Sequence, residues 1–334
     1  MAFAPATRQK AKARLLFGGM SKSGKSLSSL AIMRGIVGPE GRIAVIDSEN
    51  GATHLYAGRF PGTQQPTGFD VDKITHFSPD KYISAINEAG KAGYDGLIID
   101  SATQEWQGSG GILEIVDGAS GDKFFTGWKN ATPKHNDFIR AIVQSPCHVI
   151  VTVRQKDDYI IGTDPNGKNA PQRVGLALIQ RKEFEYEFNA VGIFDIDHTL
   201  RFNWSAIDFL PNGTVVPAFD SDMLGAVALG QNLAEWLNTG DEAWTPPVYK
   251  KSFYVSGKEY ISAGITQETF VKCLNLGTQL DKVSKRGAAK ALIASTTGKS
   301  NLADLTKEES VVLVEALEVA LDASTKEPSV QQSA

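Results

Sequence analysis

The sequence predicts an α/β fold: a mostly parallel sheet flanked by helices, with antiparallel strands at one edge and a small helical domain at the C-terminal end. Three observations predict it. Short apolar runs at 14–18, 42–47, 96–100 and 147–153 alternate with segments of helical spacing, the pattern of parallel βαβ units. From about 183 the run EFEYEFNAVGIFDIDHTLRFNW alternates polar and apolar residues with little helical signal, as two or three antiparallel edge strands do. Beyond residue 262, three stretches with helical spacing lie near 266–276, 282–294 and 306–321.

In chain order, RLLFG at 14–18 reads as a buried strand that runs into glycine-rich chain. Residues 25–37 carry Leu27, Leu30, Ala31 and Ile36 at helical spacing. RIAVID is the second strand, ITHF at 74–77 a short one, and 80–92 a helix. GLIID and CHVIVTV follow as apolar strands. PNG at 211–213 marks a turn, and 228–237 has a helical pattern. Pro-Pro within 238–262 points to a linker with some extended structure. ITQET and DLTKEES each set Thr ahead of acids and an apolar run, as helix starts do. The expected organisation is therefore a nucleotide-scale core over 1–221, a linker over 222–262, a helical domain over 263–322 and a polar, disordered tail over 323–334.

Composition narrows the classes. Of 334 residues, 42% are hydrophobic and 22% charged, which excludes a wholly disordered or collagen-like chain. Lys+Arg number 34 against 38 Asp+Glu, a net charge of −4, so any nucleic-acid surface must be local. Cys147 and Cys273 are too few for a disulfide framework. No apolar run approaches the roughly 18 residues of a membrane span, and the N-terminus lacks a signal-peptide pattern. The expectation is a cytoplasmic protein without a membrane partner. Arg8, Lys10, Lys12 and Arg14 read as a short, solvated basic arm.

The chemistry concentrates in Gly19-Met20-Ser21-Lys22-Ser23-Gly24-Lys25-Ser26, which has the G-x-x-x-x-G-K-S spacing of a phosphate loop. A strand precedes it and a helix follows. Glycines let successive N–H groups turn toward one anion, and the helix N-terminus adds partial positive charge. Lys25 reaches β- and γ-phosphates, and the Ser26 hydroxyl suits Mg²⁺. The implied cofactors are ATP and Mg²⁺. Asp100 ends an apolar strand and is the second candidate for the Mg²⁺ shell. Asp47-Ser48-Glu49 ends the strand after the loop's helix. Asp47 and Glu49 are expected to point opposite ways, so that one carboxylate faces the nucleotide and acts on the attacking water. Glu105, five residues past Asp100, competes for that role on spacing alone.

Phosphate loop, IDSEN and LIIDS in this order resemble the RecA-like recombinase core. The resemblance implies a RecA-like fold, a catalytic Glu49, and a γ-phosphate-sensing glutamine at a strand end. VIVTVRQK at 149–156 ends a strand with Arg154 and Gln155, and the resemblance makes Gln155 the sensor, followed by a mobile DNA-contacting loop. Over about residues 12–200 the chain is similar to phage-encoded RecA-like ATP-binding proteins of the recombination and single-strand-annealing kind. Trp128, Thr132, Pro133, His135, His148 and Glu185–Phe188 stand where that pattern expects them. Where such proteins carry a K-x-R-like pair that reaches a neighbour's nucleotide, this chain has Leu200-Arg201-Phe202, and Arg201 is the cation offered there. The resemblance implies ATP hydrolysis coupled to single-stranded DNA, a ring or filament of identical subunits, a single-strand-binding or other replication or recombination protein as partner, and host cytoplasm as the compartment. Lys123 and Lys129, in the segment after the Mg²⁺ strand, and Lys156, Lys168 and Arg173, in the segment after Gln155, are the candidate DNA contacts. A further basic patch lies at 282–290. Two other readings share the ATP site: a P-loop kinase for a small molecule, and a nucleotide-gated DNA loader or helicase-like motor.

Overall fold

The computed structural model describes residues 6–58, 68–119, 123–163, 169–240, 251–255, 258–262, 265–284 and 287–326. These residues form two compact units, Met1–Pro247 and Val248–Ala334.

In the first unit the chain runs β1 (Arg14–Gly19), α1 (Lys25–Val37), β2 (Ile43–Asp47), β3 (Asp70–Lys73), α2 (Pro79–Lys91), β4 (Gly96–Asp100), α3 (Thr103–Gln107), α4 (Ile112–Asp117) and α5 (Trp128–Gln144). It continues with β5 (His148–Thr163), β6 (Asn169–Leu178), β7 (Ala190–Phe194), β8 (Leu200–Ser205), β9 (Val215–Val216) and α6 (Leu224–Leu237). Among the described residues the sheet has nine strands in the order β3-β2-β4-β5-β1-β7-β8-β9, with β6 paired to β5. The first six strands of that order are mutually parallel, and β8, β9 and β6 are antiparallel additions. The mixed α/β architecture with antiparallel edge strands agrees with the expectation.

Side chains alternate across the sheet and fill two cores. Leu15, Phe17, Val45, Ile98 and Ile150 pack on one face with Leu30, Ile32 and Met33 of α1 and Leu229 and Leu233 of α6. Leu16, Ile46, Leu97, Ile99 and Val151 pack on the other with Tyr82 and Ile86 of α2 and Phe138 and Ile142 of α5. Strands buried on both faces read as continuous apolar runs, which is why RLLFG, RIAVID and GLIID were plain in the sequence.

Several elements differ from the expectation. The short strand near 74–77 lies instead at Asp70–Lys73. The run from 183 opens with a tight turn at Phe184–Glu187, and β7 pairs parallel with β1 rather than antiparallel. The segment after Gln155, read as a mobile loop, is largely strand: in the β5–β6 hairpin β5 runs beyond the main sheet and pairs with β6 from Gln155↔Leu178 to Thr163↔Asn169, and residues 164–168 lie outside the described residues. Residues 107–129 contain α4 and a π-helical turn at Lys123–Gly127. There the Trp128 ring lies 5.9 Å from that of Trp106 and packs on Ile112, Val116 and Ala131. Helix α6, in the interval expected to be linker, packs on α1 in the first unit's core. Arg14, read as part of a solvated arm, is buried. Its guanidinium donates to the carbonyls of Val143 (3.0 Å) and Cys147 (2.8 Å), and to those of Ala13 and Ser145, satisfying the end of α5. Burial lowers its pKa to about 10.

The second unit contains the hairpin β10 (Lys251–Val255) and β11 (Lys258–Ser262) with α7 (Gln267–Val283), α8 (Ala288–Thr297) and α9 (Lys307–Lys326). Phe270, Cys273, Leu280, Leu305, Leu313 and Leu317 fill its core. In the basic patch, Lys285 and Arg286 lie outside the described residues. Among the described residues no helix is long and apolar enough to cross a membrane.

Candidate nucleotide site

At the C-terminal rim of the parallel strands the chain between β1 and α1 curls into a cradle. Lys22 and Gly24 have φ of 66° and 94°, and the Ser23 N–H donates to the Met20 carbonyl at 3.2 Å, which closes the loop on itself. A Cβ at Gly19 would lie 2.5 Å from Ser23 Oγ and 2.7 Å from the Phe194 carbonyl, so the loop's first position admits glycine alone. The loop opens onto a cavity of about 540 Å³, lined by Lys25, Ser26, Glu49, Asp100 and Arg154, with Tyr56, Phe219 and Met223 on its apolar side. His198 also lines it, from the β7–β8 turn.

The polar groups are arranged ahead of any ligand. The Lys25 ammonium donates to the Gly19 and Met20 carbonyls at 3.0 and 2.7 Å. Burial lowers its pKa to about 8, Asp100 works against that shift, and Arg154 adds to it. Ser26 Oγ donates to Asp100 Oδ2 at 2.6 Å, and Thr152 on β5 donates to Oδ1. Burial raises the Asp100 pKa, and the two hydroxyls and Lys25 oppose the rise. A hydroxyl and a carboxylate oxygen side by side at the cradle's mouth are the hard oxygen donors that Mg²⁺ takes together with phosphate, so the residues fit the ion. Among the described residues no group of three or more His, Cys, Asp or Glu side chains could hold a metal by itself.

The two carboxylates after β2 do different things. Asp47 is fully buried. It accepts from the N–H groups of Glu49 (2.8 Å), Gly51 (3.2 Å) and Thr53 (3.2 Å) and from the Thr53 hydroxyl. The expected divergence does not come from strand alternation, which puts residues two apart on the same face. They diverge because β2 ends at Asp47 and the chain folds around its carboxylate, through positive φ at Asn50 and Gly51. That turn swings Glu49 into the cavity. There Glu49 accepts from Ser101 Oγ at 2.7 Å and forms an ion pair with the Arg154 guanidinium. Ser48 and Ser101 cross-link the ends of β2 and β4, each bond 2.9 Å.

Glu105 is elsewhere, fully buried between His135 Nδ1 and Gln180 Nε2, each 3.2 Å away. Gln155 is also absent from this cavity. Successive strand residues face opposite sides, so Arg154 points to the phosphate loop while Gln155 lines a second cavity on the other side. Sequence reasoning passed over Arg154; the signal was its parity with respect to buried Thr152 on β5. His148 Nδ1 accepts the Ala13 N–H at 3.1 Å, tying the start of β5 to β1. Arg201 is exposed on β8. Of the candidate DNA contacts, Lys129 and Lys156 are exposed. Lys168 and the side chains of Lys123 and Arg173 lie outside what the structure describes.

A family model described as an AAA domain matches residues 11–215, from the chain before β1 to β9. The chain belongs to the AAA-domain family. An AAA domain is a nucleotide-binding, ATPase-type P-loop domain, and the cradle, Lys25, Ser26 and Asp100 all lie within the matched span. No curated protein matches this chain.

Proposed function

We propose that the chain is an ATP-hydrolysing, RecA-like protein that binds single-stranded DNA in phage or prophage recombination, annealing or replication, as a ring or filament of identical subunits. One observation carries the coupling of nucleotide to DNA: Arg154 lines the nucleotide cavity at the residue where β5 leaves the sheet to become the β5–β6 hairpin. The Arg154 N–H donates to Thr103 Oγ1 at 2.8 Å, and its carbonyl accepts the Ile179 N–H at 2.8 Å, so a shift of that residue reaches both strands of the hairpin.

In this reading the N–H groups of residues 19–26 and the Lys25 ammonium hold the β- and γ-phosphates. Ser26 and Asp100 hold Mg²⁺, which neutralises phosphate charge when bound. Glu49 orients the attacking water and takes its proton. Arg154 exchanges partners: a γ-phosphate offers its planar fork a dianion in place of the Glu49 carboxylate. The exchange frees Glu49 for the water and pulls on the hairpin. The chemistry asks little covalent work of the protein, mostly positioning and charge stabilisation.

The test is ATP hydrolysis with and without single-stranded DNA across a salt series. Stimulation that weakens as salt rises, through lost phosphate contacts, is the expected result. Absence of stimulation with turnover of a small acceptor marks a kinase instead. ATP-dependent strand displacement on a fork marks a motor, and partner recruitment without unwinding marks a loader.

A further inference from the structure

The second cavity, of about 650 Å³, lies where the hairpin's base meets β7 and β8, a volume in the range of small-molecule sites. Its floor exists because residue 18 has no side chain. A Cβ there would meet Leu178 Cδ2 at 2.5 Å and Ile193 Cδ1 at 2.6 Å, and those two apolar side chains, with Gln155, close over the glycine. The mouth carries two aromatics in the open, Tyr186 at 65% and Trp204 at 37% exposure. Arg181 and Lys182 line it, as do Glu183 and Glu185, so its formal charge sums to zero.

A neutral site is a poor trap for phosphate backbone by itself, since bulk attraction to polyanions needs net positive charge. It suits a neutral, flat heterocycle with polar edges. Gln155 and Asn203 bring side-chain amides to its wall, and among the described residues neither amide has a hydrogen-bond partner. An apolar protein side chain in this cavity would leave both amides unpaired, at a cost. A nucleobase pairs its donor and acceptor edge with them and stacks its face on an exposed ring, as sequence-tolerant single-strand binders do.

The geometry points to this cavity as a receptor for an unpaired nucleobase of single-stranded nucleic acid, held by Tyr186 and Trp204 through stacking and by Gln155 and Asn203 through its edge. Arg181 and Lys182 offer the flanking phosphates their cations. The inference rests on the single-strand reading above and names where on the protein the strand is read. Gln155 adjoins Arg154 in β5, so occupation of this cavity and occupation of the nucleotide site act on neighbouring residues of one strand.

An oligothymidylate carrying iododeoxyuridine, photocrosslinked to the intact protein in the presence of ATP and Mg²⁺, tests it. Crosslinks are expected at Tyr186 or Trp204. Trp204→Ala is expected to weaken oligonucleotide binding about tenfold or more, in line with the loss of one stacked base. Trp204→Phe, which keeps an aromatic face, is expected to restore most of the affinity. Trp204 is partly exposed, and the thermal melt of each variant separates lost binding from lost folding. Tight oligonucleotide binding with crosslinks elsewhere and no effect of Trp204→Ala overturns the site while leaving the single-strand reading intact. No oligonucleotide binding at any salt concentration overturns both. A cavity filled instead by a second copy of the chain shows as Trp204→Ala changing the oligomeric state without changing oligonucleotide affinity, and overturns the site as well.

Discussion

Two adjacent residues on one strand, Arg154 and Gln155, open onto two different kinds of cavity. On Arg154's side the polar groups are already paired with one another: Lys25 with loop carbonyls, Ser26 with Asp100, Arg154 with Glu49. On Gln155's side the floor is apolar, the rim aromatic and exposed, and the amides stand without partners. The first holds its charged groups ready for one charged ligand, and of its pairs the proposed mechanism opens only Arg154–Glu49. The second is adaptable, which in the proposed reading suits a surface that meets many sequences.

The sharpest break in that contrast is Glu49→Gln. Its loss is expected to slow hydrolysis by about 10²–10⁴-fold, the usual span for a general base, with ATP affinity retained, as separate binding and turnover assays would show. Lys25→Ala is expected to cost about 10²–10³-fold in turnover and to weaken ATP binding too, because the ammonium touches the phosphates in both states. Arg154→Ala is expected to lower turnover about tenfold and to uncouple nucleotide from DNA. Arg154→Lys should not rescue it, because a point charge lacks the guanidinium's fork.

Lys25 also sets a pH dependence. Its pKa of about 8 in the free protein lies below the ordinary 10.5 because of burial. Above pH 8 the free protein loses this proton, and a triphosphate has to restore it. ATP affinity is therefore expected to fall about fivefold between pH 8 and pH 9, with proton uptake on binding, visible by calorimetry in buffers of different ionisation heat.

A smaller effect concerns the frame shared by both cavities. The His148 pKa is lowered to about 3 by burial, with Lys12 and Arg14 adding to it. Between pH 6.5 and 3 the unfolded chain binds this proton and the folded chain does not, so stability is lost as pH falls through that window. The melting temperature is expected to drop by a few degrees, about 2–4 °C per kcal/mol, over each pH unit there. His148→Asn should flatten the slope.

What could be read in advance follows from how locally it is encoded. The phosphate loop was legible because its backbone demands glycine at fixed spacing. The central strands were legible because burial on both faces leaves an unbroken apolar run. The β5–β6 pairing was hidden by DPNGKNAPQ, whose Gly, Pro and Asn read as loop although its last four residues, Asn169 to Gln172, pair with Ile160 to Thr163. The parallel direction of β7 is set by β1, 175 residues away for Leu15↔Ala190, and no local pattern carries it. The division of labour between Asp47 and Glu49 depends on a turn built around one buried carboxylate, and the choice between Arg154 and Gln155 on strand parity alone. Both required the register of distant elements.

The account turns on communication across β5, and reciprocal affinities measure it directly. The Kd of a single-stranded oligonucleotide is taken with and without a non-hydrolysable ATP analogue and Mg²⁺, and the Kd of the analogue with and without the oligonucleotide. The expected result is one common factor in both directions, about 5–150-fold as linkage requires of coupled sites, abolished by Arg154→Ala. Two affinities each indifferent to the other ligand would contradict it.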